Sequence, residues 1–119
     1  MHNHGEIWLA NLNPGRGSEP DKISPVLILQ NQALLDAGHP STLIIPLTTN
    51  LIEDGEPLRL RVVARGGLNK DSDLLVDQLR AIDNKRLLFG PLLRLDDGAM
   101  GQVYQAVGEV LGMETAVMQ

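Results

Sequence analysis

Apolar residues in this chain come in short bursts that glycine, proline and asparagine repeatedly interrupt. EIWLANL (6–12), PVLILQ (25–30), STLIIPL (41–47), PLRLRVV (57–63) and RLLFGPLLRL (86–95) each run for six to ten residues. Runs of that length with period-two alternation fit strands, because successive side chains point to opposite faces. PLRLRVV is the cleanest case: Leu58, Leu60 and Val62 are expected inward, Arg59 and Arg61 outward. In EIWLANL, Ile7, Leu9 and Asn11 fall on one face, and Trp8, Ala10 and Leu12 on the other. DLLVDQLRAID (73–83) starts as a strand and ends in a polar corner, and RLLFGPLLRL bends at Gly90-Pro91. Two stretches read as helix. NQALLDAG (31–38) is short, with Asn31 to cap it and Gly38 to end it. The second follows Asp96 or Asp97 as cap, with Met100, Val103, Tyr104, Val107, Val110 and Leu111 on one stripe. Short strands closed by one amphipathic helix predict a mainly β fold, a small barrel or strongly coiled sheet with the helix packed over it.

The chain has 119 residues, which predicts a single domain over 1–119, with MHNH (1–4) as a disordered tail. His2 and His4 have no third ligand near them in sequence, so no metal site is expected there. The apolar runs fall far short of the roughly 20 residues of a membrane helix. No basic segment precedes an apolar one at the start, so no signal peptide is expected. Cysteine is absent, which excludes disulfides and thiolate metal ligands. Net charge is −5, against a general nucleic-acid binder, but it is uneven. Residues 57–94 hold eight Lys or Arg against four Asp, a net +4, so the remainder carries −9. That segment, with Arg59 and Arg61, is either a solvated strand face or a surface for a polyanion such as RNA. Trp8, Phe89 and Tyr104 are too few for a base-stacking platform.

Polar side chains that a core does not need gather in three places. LNPGRGSEPDKISPV (12–26), a long connector between two strands, holds Arg16, Ser18, Glu19, Lys22 and Ser24. The strand end at 47–49 puts forward Thr48 and Thr49. VDQLRAID (76–83) holds Asp77, Gln78, Arg80 and Asp83. Strand ends in a small barrel lie close together, so these groups are candidates for one cleft. Cations, hydroxyl donors and carboxylates suit phosphodiester chemistry. A guanidinium matches phosphate oxygens, a hydroxyl bonds a non-bridging oxygen, and a carboxylate takes a proton from the nucleophile. Each group also has a structural reading as turn cap or surface ion pair.

The stretches GEIWLANLNPGRGSEPDKISPVLILQN, LIIPLTTN and DSDLLVDQLRAIDNKRL occur in an order and spacing that resembles the MazF/PemK/Kid toxins. The strongest pieces are Gly5-Glu6-Ile7-Trp8, Gly17-Ser18-Glu19, Pro46-Leu47-Thr48-Thr49, and Asp77-Gln78 with Arg80, Ile82 and Asp83. The resemblance runs over nearly the whole chain. It implies an SH3-like barrel with a C-terminal helix, working as a cytoplasmic homodimer. It implies an mRNA interferase of a type II toxin–antitoxin system: a sequence-specific endoribonuclease that cuts single-stranded RNA without metal or other cofactor, leaving a 2′,3′-cyclic phosphate and a 5′-hydroxyl. It implies an antitoxin partner whose acidic disordered tail occupies the RNA groove, and DNA binding in that partner's company.

On that resemblance Thr48 bonds the scissile phosphate, and Glu19 or Asp77 acts as base or positions RNA bases. Arg80 binds backbone phosphate or orients Asp77. Ser18, Ser24, Thr49, Gln78, Arg59 and Arg61 are further RNA-binding candidates. The family pattern continues with arginine before proline, its main catalytic cation. Here the residue before Pro25 is Ser24. Either Lys22 or Arg16 supplies the charge, or the chain binds RNA and antitoxin without cutting. A third reading, inhibition of DNA gyrase on the similar CcdB barrel, depends on a helix end with Trp-Gly-Ile, whereas residues 114–119 read ETAVMQ.

Overall fold

The computed structural model describes residues 1–13 and 22–113. Among them are seven strands, all pairing antiparallel: β1 (Glu6–Asn11), β2 (Ile23–Ile28), β3 (Ser41–Thr48), β4 (Arg59–Val62), β5 (Ser72–Leu75), β6 (Arg80–Asp83) and β7 (Leu87–Arg94). Two helices join them, α1 (Gln32–Asp36) and α2 (Asp97–Val110). The fold is therefore mainly β with a C-terminal helix, the class the sequence predicts. The run 73–83 resolves into two strands rather than one. A 3-10 turn at Val76–Gln78 separates them, so β5 pairs with β4 while β6 pairs with β3.

β3 organises the sheet, and its eight residues serve three neighbours. Ser41–Ile44 meet β6, Ile44–Pro46 meet β2, and Leu47–Thr48 meet β5. The strand order is β4-β5-β3-β2-β1-β7. The turn after β4 then reaches the far end of that path, where Gly67 N–H donates to Leu92 O on β7 at 2.7 Å. Gly66, at φ +56°, and Gly67 permit the approach, since a Cβ on Gly66 would stand 2.8 Å from Leu92 O. This contact brings the sheet round into a small barrel.

β1 buries both faces. Ile7 joins one apolar cluster with Leu27, Ile45, Leu74, Val76, Met100 and Val103. Ala10 joins a second with Val26, Ile28, Ile44 and Ile82, and Trp8 and Leu12 pack against it. The alternation expected for EIWLANL thus divides two cores. Trp8 lies directly against Gly90: a Cβ there would sit 2.5 Å from the indole ring. Gly90→Ala is expected to lower stability by about 1–3 kcal/mol, the usual cost of overpacking, read as an earlier urea midpoint.

Asp96 caps α2, accepting from Ala99 N–H at 2.8 Å, and Asn31 caps α1 by accepting from Ala33 N–H at 2.8 Å. The stripe of α2 needs correction. Its buried residues are Met100, Val103 and Ala106, whereas Tyr104 and Leu111 lie at the margin and are exposed. Tyr104 instead serves the N-terminus. His4 Nδ1 donates to Gln30 O at 2.9 Å, so its Nε2 accepts from Tyr104 O–H at 2.5 Å. Thr42 O–H donates to Asn84 Oδ1, so its oxygen accepts from His2 Nε2 at 3.0 Å. His2 and His4, within the stretch expected as a disordered tail, are held by these bonds. The Gly5-Glu6-Ile7-Trp8 signature is structural in the same way, with Trp8 Nε1 donating to buried Glu6 at 3.0 Å.

Candidate active site

The polar strand ends do meet. A cleft of about 440 Å³ is lined by Leu12, Lys22, Ile23, Ser24, Pro25, Pro46, Leu47, Thr48, Thr49, Leu75, Gln78 and Arg80. All three polar regions contribute to it. Leu12 N–H donates to Lys22 O at 2.8 Å, which closes the base of the connector whose residues 14–21 lie outside the described part. Lys22 and Ser24 are two residues apart on extended backbone, so their side chains share a face, and both line the cleft. Ser24 stands opposite Ala10 of β1. The position where the resemblance expects arginine therefore belongs to the cleft, with a lysine immediately beside it along the strand.

Thr48 ends β3 and is half buried. Its Oγ1 accepts from Asn50 N–H at 3.1 Å. That bond uses a lone pair and leaves the hydroxyl hydrogen free of any acceptor among the described residues, available to a ligand oxygen. Arg80 opens β6 and holds Leu12 O at 3.3 Å through Nη2, and among the described residues most of its guanidinium donors are left over. Gln78 is the last residue of the 3-10 turn, so its exposed side chain and that of Arg80 reach the same cleft.

Other expected site residues lie elsewhere. Asp77 is exposed on the 3-10 turn and is not among the residues lining the cleft. Among the described residues no carboxylate lines it. Arg16, Ser18 and Glu19 fall in the segment outside the described residues. Arg59 and Arg61, expected outward on β4, turn to a buried acid instead. Arg61 Nε meets Asp73 Oδ1 at 2.6 Å, and Arg59 Nη1 lies 3.5 Å from Oδ2.

Sequence reasoning missed two residues. Arg86, half buried, donates through Nη1 to Asn11 O and Asn13 O at the root of the connector. Nothing in its local sequence separates it from its basic neighbours. Asp73 had a visible signal: an acid in an apolar strand, opposite Arg61 across the ARGGLNKDS turn. Burial pushes the Asp73 carboxyl up. The bonds from Arg61 and Ile52 N–H, the Arg61 charge and the bond from Arg59 outweigh that and hold it below its ordinary value. A depressed carboxylate contributes stability above its unfolded pKa of about 4 and loses it as pH falls through the folded value. The stability gap between wild type and Asp73→Asn is therefore expected to be widest near neutrality and to close on acidification. Urea melts across that range measure it; a gap constant with pH contradicts the assignment.

A family model described as PemK-like, MazF-like toxin of type II toxin–antitoxin systems matches residues 3–111. Endoribonuclease MazF of Staphylococcus saprophyticus is 33% identical over 119 residues, spanning 97% of this chain and 95% of that protein. In fold, the chain is similar to the Mycobacterium tuberculosis toxin MazF-mt6, with TM-score 0.75 and 23% identity over 92% of this chain and 98% of that one. It is also similar to an endoribonuclease solved in complex with its cognate antitoxin from a mycobacterial species. There the TM-score is 0.75 and the identity 17%, over 98% of this chain and 100% of that one.

Proposed function

Because this chain belongs to the family of PemK-like, MazF-like toxins of type II toxin–antitoxin systems, we propose that it is an endoribonuclease that cuts single-stranded RNA by attack of a ribose 2′-hydroxyl on the adjacent phosphate. The observation that carries the reading is the cleft itself. Among the described residues, a threonine hydroxyl whose hydrogen has no acceptor lines it together with Lys22 and Arg80. A phosphodiester presents oxygens suited to all three groups. The relative's endoribonuclease name points the same way.

In this mechanism the 2′-oxygen forms a bond to phosphorus while the bond from phosphorus to the 5′-oxygen breaks. The products are a 2′,3′-cyclic phosphate and a 5′-hydroxyl. Thr48 donates to a non-bridging oxygen, and Lys22 offsets the charge that grows on the phosphorane. Arg80 and Gln78 hold the flanking backbone. Asp77 stands off the cleft lining, so we assign the base to Glu19, on the connector between Asn13 and Lys22. Glu19 takes the proton of the 2′-hydroxyl, and the departing 5′-oxygen takes up a proton from solvent water, so the step balances with a nucleophile internal to the substrate.

The homodimer and the antitoxin belong to the same reading. The mycobacterial neighbour was solved with its cognate antitoxin, and an acidic tail has Lys22 and Arg80 to meet in this cleft. Purified protein incubated with a long single-stranded RNA in EDTA is expected to give discrete cuts with 2′,3′-cyclic phosphate ends. An intact RNA, or 3′-hydroxyl ends, overturns the mechanism. Intact RNA that remains bound identifies a binding-only protein in which Ser24 marks lost chemistry.

A further inference from the structure

Beside the cleft, a buried carboxylate holds a loop that the catalytic steps above do not use. Asp73 lies on β5 between two partners, opposite Thr48 on β3 and opposite Arg61 on β4. Its side chain is 2% exposed. Oδ1 takes Arg61 Nε at 2.6 Å, and Oδ2 takes Ile52 N–H at 3.2 Å. The two arginines pass the anchor on. Arg59 Nη1 donates to Asn50 O at 2.8 Å, and Arg61 Nη2 to Ile52 O at 3.4 Å. Asn50 N–H is already held by Thr48 Oγ1. Both peptide groups of Asn50 and Ile52 that could swing are thus fixed, one residue pair beyond the catalytic hydroxyl.

Such a network is not what stability alone would select. Buried ion pairs are often matched or bettered by apolar residues of similar volume, and in some proteins they serve conformational specificity instead. The geometry fixed here is that of the 49–56 loop. Thr49 lines the cleft, and Leu51 and Ile52 follow it with 38% and 50% of their surface exposed. Neither apolar side chain lines the cleft itself. Ile52 lines a neighbouring hollow with Arg59, Arg61 and Asp73, but both sit two and three residues beyond Thr49 on the pinned backbone and offer exposed apolar surface to a base that extends past the cleft.

We propose that Asp73, acting through Arg59 and Arg61, is a positioning residue for RNA sequence selection: it sets the 49–56 loop so that Leu51 and Ile52 discriminate the base beside the cut. The proposal rests on the ribonuclease reading. It separates the two arginines of β4 from phosphate binding, the role their charge suggested.

The test is cleavage of a randomised single-stranded RNA pool by wild type, Asp73→Asn and Arg59→Met, with sites mapped by sequencing. In Asp73→Asn the side-chain amide nitrogen must face either Arg61 or Ile52 N–H, donor against donor, so the loop is released at constant volume. Arg59→Met frees Asn50 O and leaves the Asp73–Arg61 pair in place, which keeps a folded variant available. For both, the ratio of cleavage at the preferred site to the next is expected to fall about tenfold, the low end of discrimination by small apolar contacts. On the preferred oligonucleotide, KM is expected to rise while kcat stays within about threefold, because ground-state positioning is lost. A variant that merely unfolds in part lowers kcat and leaves KM and the site ratio unchanged, and that result overturns the proposal. So does an unchanged cut map in both variants beside a wild type that cuts. A wild type that cuts no RNA overturns the ribonuclease reading and this proposal with it.

Discussion

Replacing Lys22 by alanine is expected to lower the rate of RNA cleavage by about 10²–10³, the effect of removing one preorganised charge or donor from a developing oxyanion. Lys22 precedes Ser24 by one full strand period, and both side chains line the cleft. The ammonium therefore enters beside the position that the family resemblance assigns to arginine. A lysine supplies the charge but not the two parallel hydrogen bonds of a guanidinium. Two further variants separate this account from one in which Arg16 carries the charge. Arg16→Ala is expected to retain most activity. Ser24→Arg, introduced into the Lys22→Ala background, is expected to recover much of the lost rate, because the fork returns to the cleft. Full activity in Lys22→Ala with loss in Arg16→Ala reverses the assignment.

Thr48→Ala is expected to have an effect of similar size, about 10²–10³ in kcat, for a related reason. The hydroxyl at the end of β3 accepts from Asn50 N–H, which holds its oxygen at the cleft and leaves its hydrogen for the substrate. Alanine removes that donor and also the acceptor for Asn50. Thr48→Ser retains both and loses only a methyl group, so it is expected to stay within about tenfold of wild type. Thermal melts of Thr48→Ala serve as control: the residue is half buried at a strand end, and its loss is expected to cost stability only on the order of 1 kcal/mol. Wild-type cleavage by Thr48→Ala contradicts the mechanism.

Much of the fold was legible because strand periodicity is a local property. EIWLANL buried both of its faces, Asp96 capped α2, and Asn31 capped α1, each as residue type and spacing require. The failures came where partners far apart in sequence override a local pattern. Tyr104 sits at the margin of an apolar stripe, and only the return of the N-terminus across α2 gives its hydroxyl to His4. Arg59 and Arg61 alternate outward by pattern, yet β5 brings a buried acid into reach. The run 73–83 reads as one element because the 3-10 turn at Val76–Gln78 lacks glycine or proline to announce it.

The site was legible in part for a similar reason. Thr48, Thr49, Lys22, Ser24, Gln78 and Arg80 are polar residues that no apolar face needed, and strand-end geometry drew them together. Asp77 has the same character but is exposed on its turn and does not line the cleft. Asp73 was missed for a different reason, although an acid in an apolar strand opposite Arg61 is a visible signal. Buried in the sheet and fully paired, it sits in a strand that reads as apolar.

The central claim is that the substrate's own 2′-hydroxyl is the nucleophile, with Thr48 and Lys22 serving the phosphate. A short single-stranded RNA carrying one preferred cut site, and the same RNA with a single 2′-deoxy sugar on the 5′ side of that cut, test it directly in EDTA. Cleavage of the first and none of the second at that position is expected, with binding of the two alike. Equal cleavage of both contradicts the claim, because the attacking oxygen would then have to come from water.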